Sequence, residues 1–128
     1  IAIGTGLVTN TGQFAYLNGA SLGLNPLLFN IQTGNLYTLS SGDAYIGVAM
    51  TYTGNNTVFV PALSGVNFEN GMQIAILQWG TGQTYVSGQT GCNVYSRGNA
   101  FKLAGQYATA TLFQFSGNAW ILQGDITT

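Results

Sequence analysis

The chain has 128 residues, of which 46% are apolar and only five are charged: Asp43, Glu69, Arg97, Lys102 and Asp125. That apolar share excludes a disordered chain, and two cations are too few to neutralise a run of phosphates or to hold an anionic membrane surface. His is absent and Cys92 is alone, so the commonest general base, an internal disulfide and a CxxC site are excluded as well.

Residues 1–35 differ from the rest and are expected to form an N-terminal arm or linker. Residues 1–9 and 14–17 read as strands, and an irregular stretch follows with a turn at Asn25-Pro26. Residue 1 is Ile rather than Met, as in a processed chain or a fragment. Gly4-Thr5-Gly6 echoes Gly80-Thr81-Gly82, a weak sign of repetition. From residue 36 the pattern is strands and almost no helix. Residues 45–52 alternate, with Ile46, Val48, Met50 and Tyr52 on one side, and Asn55-Asn56 reads as a tight turn. Residues 57–60 follow as a strand that Pro61 stops.

Residues 72–79 form the clearest strand. Met72, Ile74 and Ile76 face one way, and Ala75, Leu77 and Trp79 the other. A strand apolar on both sides needs cover on both sides. One cover is the core; the second is either a neighbouring subunit or loops of the same chain. Gly80-Thr81-Gly82 turns the chain, and residues 84–87 and 93–96 read as shorter strands. Residues 108–115 set Thr109, Thr111, Phe113 and Phe115 opposite Ala108, Ala110 and Leu112. Gly117-Asn118 signals a hairpin into residues 119–123. No apolar run reaches the roughly 18 residues of a membrane-spanning helix. The fold expected over 36–128 is all-β: an antiparallel β-sandwich or jelly-roll-like domain.

The search for chemistry returns little. Asp43, Glu69 and Asp125 each sit in or beside a Gly-containing turn, where the usual task of a carboxylate is an Asx-type turn or a backbone cap. Nothing in their spacing pairs two of them for glycoside hydrolysis. Gly80-Thr81-Gly82 lacks the rest of a phosphate-binding loop and reads as a turn. Asn55-Asn56-Thr57 matches an N-glycosylation sequon, a match common by chance. No catalytic residue, cofactor or metal ligand is assigned. Trp79, Trp120 and the seven Tyr offer rings for sugar stacking, although both Trp lie on strong strands, where core or interface is the commoner use. Asn55, Tyr85, Tyr95, Arg97 and Lys102 are the candidate ligand- or partner-facing residues. The loops around Asn55, 88–93 and Gly98 are expected at the outward end, with 73–79 and 103–112 as the packed framework.

Several blocks recur in a family. They are Leu36-Tyr37-Thr38-Leu39 with Asp43, Thr57-Val58-Phe59-Val60-Pro61, Phe68-Glu69-Asn70-Gly71-Met72-Gln73-Ile74, Gln78-Trp79-Gly80-Thr81-Gly82-Gln83, Leu103-Ala104-Gly105-Gln106-Tyr107-Ala108-Thr109-Ala110-Thr111-Leu112 and Trp120-Ile121-Leu122-Gln123-Gly124-Asp125. In this order residues 36–126 resemble a domain of bacteriophage virion proteins of the tail-fibre or fibre-like type. The resemblance implies a β-structured, non-enzymatic module in the virion, usually a homotrimer, and supplies no catalytic residue. Such domains often carry Gly two residues after the Asp; here Tyr45 stands there, so a different turn is expected. Residues 1–35 lie outside the resemblance.

The scarcity of charge points the same way, because little self-repulsion keeps copies apart. The expected function is a virion structural module (fibre, spike or capsid decoration) that self-assembles through apolar β surfaces, with other virion proteins as partners. The alternative is a receptor- or carbohydrate-binding tip that meets a host-surface glycan. Neither reading involves nucleic acid or membrane.

Overall fold

The computed structural model describes residues 28–65 and 71–128. The strands read at 1–9 and 14–17, the turn at Asn25-Pro26, the Gly4-Thr5-Gly6 echo and Glu69 lie outside the described residues. Eleven strands are described: β1 (Phe29–Gln32), β2 (Leu36–Thr38), β3 (Gly47–Met50), β4 (Asn56–Val60), β5 (Gln73–Gln78), β6 (Thr84–Gly88), β7 (Asn93–Tyr95), β8 (Lys102–Leu103), β9 (Thr109–Ser116), β10 (Ala119–Gly124) and β11 (Ile126–Thr127). Two short 3-10 turns, Ser41–Asp43 and Arg97–Asn99, are the helical elements among them. Residues 28–35, read from sequence as the end of the arm, carry β1 and its turn into β2.

The strands build an all-β sandwich of two sheets. The first has the order β1-β3-β5-β9-β10-β7 and the second β11-β8-β6-β4-β2. Inward residues of both make one core. Val48, Met50, Ile74, Ile76, Leu112, Trp120 and Leu122 come from the first sheet, and Val58, Val60, Val86 and Leu103 from the second. Burying side chains of this size stabilises the fold by roughly 1.5–3 kcal/mol each. The alternation read over 72–79 and 108–115 holds: Ile74, Ile76, Ala110 and Leu112 all point into this core.

Strand direction departs from the antiparallel expectation. The pairs β1–β3, β3–β5, β2–β4, β4–β6 and β7–β10 are parallel, whereas β5–β9, β9–β10, β6–β8 and β8–β11 are antiparallel. Odd-numbered β1, β3 and β5 lie in one sheet and even-numbered β2, β4 and β6 in the other, so the chain makes three stacked coils. Parallel neighbours need a crossover, and here a strand of the opposite sheet supplies it. The Asn55-Asn56 and Gly80-Thr81-Gly82 turns therefore carry the chain between sheets instead of closing hairpins. The Gly117-Asn118 turn does close a hairpin, β9 to β10, with Gly117 at φ 54.

Polar side chains buried inside the corners explain the crossing. Gln78 Oε1 accepts from the Thr84 N–H at 3.1 Å, and Thr84 Oγ1 donates to Asn56 Oδ1 at 2.6 Å. Asn56 Nδ2 donates to the carbonyls of Gly54 and Gly82, at 3.0 and 3.3 Å. These bonds satisfy backbone groups that a hairpin would otherwise pair across its strands. The corner of the third coil rests directly on that of the second. A Cβ at Gly82 would run into the Gly54 backbone, so close approach requires Gly there.

Candidate functional site

The described carboxylates are kept apart. Asp43 is buried at the β1/β2 end of the sandwich, while Asp125 lies between β10 and β11, at the other end of the sheet order. Asp43 Oδ2 accepts from the Tyr37 hydroxyl at 2.7 Å and the Ser40 N–H at 2.9 Å, and Oδ1 accepts from Asn30 Nδ2 at 2.9 Å. The Ser40 bond is the backbone cap expected of a turn carboxylate. Gln32 Nε2 extends the network to Asn30 Oδ1 at 2.9 Å. Burial, then the hydrogen bond to Asp43, holds the Tyr37 phenol above its ordinary value. Among the described residues, no three His, Cys, Asp or Glu side chains gather as a metal would require, and no helix is long and apolar enough to cross a membrane.

Tyr45 takes φ 61, the left-handed conformation that Gly adopts most easily. The turn after Asp43 thus has a glycine-type backbone although its residue is Tyr. The Tyr45 N–H is bonded to the Gln73 carbonyl at 3.0 Å, which ties this turn to β5.

Two outer faces carry the remaining side chains. On the first sheet, register sets Ile31, Ala49, Leu77 and Thr109 in one row, and Gln73, Phe113, Ile121 and Tyr95 in another. Ile31 is 64% exposed, Trp79 55% and Phe115 71%. Phe29, Ile31, Ala49, Leu77 and Trp79 line a shallow groove of about 340 Å³. Tyr107 packs edge-on against Trp79 with ring centroids 5.2 Å apart. Of the two Trp, Trp120 is core and Trp79 belongs to the surface.

On the second sheet, register sets Leu36, Thr57, Tyr85, Lys102 and Thr127 in one row and Thr38, Phe59 and Ser87 in the next. Thr57, Phe59, Tyr85 and Ser87 of this face, with Val94 of β7 in the first sheet and Phe101 ahead of β8, are among the residues lining a groove of about 460 Å³. Lys102 Nζ lies 5.4 Å from the Tyr85 ring centroid, a cation–π contact.

Of the five candidate residues, Tyr85 and Lys102 thus come together. Tyr95 stands on the other sheet, Arg97 is exposed in the 3-10 turn before β8, and exposed Asn55 sits at the start of β4. The loops do not share one end: Asn55 precedes β4, whereas 89–92 leave the far ends of β4 and β6. Phe59, Phe101 and Ser87 were not singled out from sequence. For Phe59 and Ser87 the signal was present, since alternation along 57–60 and 84–87 places them outward beside Thr57 and Tyr85. Cys92 is buried, and burial pushes its thiol up. Neither a scan against protein-family models nor a search of curated proteins finds a match to this chain.

Proposed function

We propose that this chain is a non-enzymatic structural module of a virion, in a fibre, spike or capsid decoration, that associates with copies of itself through the outer face of the first sheet. The observation that carries this reading is the apolar face itself. Ile31, Leu77, Trp79, Phe113, Phe115 and Ile121 project from one side of one sheet, and single-sign charge is missing from it. Contiguous exposed apolar surface marks an interaction site. Burying it against symmetry mates gains on the order of 25 cal/mol per Å² without an ion pair, so salt has little to screen. The likeness of residues 36–126 to fibre-like phage domains supports three as the number of copies and the virion as the setting. A closed ring of three buries the same face of each chain.

Sedimentation equilibrium tests this. The expected result is a mass of three chains that persists in concentrated salt, and dissociation of a still folded chain by Leu77→Asp. A wild-type chain that stays monomeric at micromolar concentration sinks the reading, as does an assembly that Leu77→Asp leaves intact.

A further inference from the structure

We propose that the outer groove of the second sheet binds a saccharide bearing a carboxylate. The groove presents what such a ligand needs. Phe59, Tyr85 and Phe101 give aromatic surface, onto which the apolar C–H face of a pyranose packs. The Thr57, Tyr85 and Ser87 hydroxyls have no hydrogen bond within the described chain, so each is available to a sugar hydroxyl. Lys102 settles the charge. It pairs with Tyr85 in the β6–β8 register, at the groove margin, and holds its ammonium over that ring. The chain has two cations in 128 residues, and Lys102 has no carboxylate partner among the described residues. An unpaired ammonium beside aromatic rings and free hydroxyls complements an anionic, hydroxyl-rich ligand. A neutral, purely apolar ligand would leave all three hydroxyls and the charge without partners.

The groove is lined mainly from the second sheet, and none of its lining residues belongs to the apolar outer face of the first. Saccharide binding is therefore compatible with assembly through that face, and the two proposals fail separately: sedimentation reads one and saccharide titration the other. The probes are sialyllactose and a hexagalacturonate, with uncharged lactose as the comparison, titrated into the nitrogen-15-labelled full chain. Both acidic probes are expected to shift the amide signals of Phe59, Tyr85, Ser87, Phe101 and Lys102, with affinity about tenfold or more above that for lactose. Lys102→Gln is expected to weaken acidic binding about tenfold and to leave the melting temperature unchanged, and Lys102→Arg to restore it. The proposal is overturned if neither acidic probe shifts these signals, if lactose binds as well, or if Lys102→Gln binds as the wild type does.

Discussion

The Tyr37 hydroxyl donates a 2.7 Å hydrogen bond to Asp43 Oδ2, joining an inward residue of β2 to a carboxylate that is 1% exposed. A buried carboxylate is costly unless its lone pairs are used. Here the donors to that carboxylate are neutral: the Tyr37 hydroxyl, the Asn30 amide and Ser40. Tyr37→Phe is expected to lower stability by about 1.5–3 kcal/mol, the range for a hydrogen bond to a charged group. Asp43→Ala should cost more, because it removes the acceptor of the Tyr37, Asn30 and Ser40 donors together. Urea denaturation measures both. A Tyr37→Phe chain that unfolds at the wild-type midpoint would show that the network does not brace this edge.

The same residue sets an alkaline limit. The folded Tyr37 phenol titrates above its ordinary value of 10.0, first because it is buried and then because its hydroxyl donates a hydrogen bond to Asp43. The native state keeps a proton that the unfolded chain has begun to lose. This contribution is fully present below pH 10 and declines as pH rises beyond it. Buried Cys92 acts with the same sign from its ordinary value of 9.0, so the comparison belongs in a Cys92→Ala background. Denaturation between neutral pH and the alkaline range should show a decline that is smaller in Tyr37→Phe.

Stacking of the coil corners is tested at Gly82. An added methyl would meet the Gly54 backbone, which cannot swing aside as a side chain can. Gly82→Ala is expected to cost more than about 2 kcal/mol, with Gly105→Ala, whose Cβ meets open space, near neutral. Equal melting temperatures for the two variants would refute the close stacking of turns 53–55 and 81–83.

Tyr45 gives a change in the opposite direction. A side chain at φ 61 is strained by roughly 1–2 kcal/mol, and the Tyr45 ring is 61% exposed, so little packing offsets it. After the extra freedom Gly brings to the unfolded chain, Tyr45→Gly should stabilise by about 0.5–1 kcal/mol. Tyr107 also has positive φ, at 71, but its ring rests on Trp79, so Tyr107→Gly should not gain. Calorimetric melting of the pair distinguishes strain from packing.

Cys92 is 7% exposed, and burial disfavours its thiolate. Alkylation by iodoacetamide at neutral pH should be about a hundredfold slower in the native chain than in urea, since the thiolate is the reactive form and must first reach solvent. Comparable rates would place the thiol at the surface.

Which residues enter the core was legible in the alternation. Ile74, Ile76, Ala110 and Leu112 could face inward only together, because a strand repeats every two residues. The Asp43 cap was legible for a similar reason: a short carboxylate after Ser40-Ser41-Gly42 reaches its own backbone. Strand pairing was not. Thr53-Gly54-Asn55 and Thr81-Gly82-Gln83 resemble hairpin turns, and only the partners of Asn56, Gln78 and Thr84 reveal that these turns cross between sheets. Their recurrence, with Thr33-Gly34-Asn35 before them, was the overlooked sign of stacked coils. The Phe59–Tyr85–Phe101 groove was hidden because its residues meet only through register between distant strands.

The sequence by itself determined that this is a β protein with a dense core, sparse charge and apolar residues to spare. Those properties follow from composition and from a period of two, both local. Strand direction, the isolation of Asp43 from Asp125, and the pairing of Lys102 with Tyr85 were decided only by the tertiary structure. They depend on which strands become neighbours, and that choice is made by buried contacts between residues far apart in the chain.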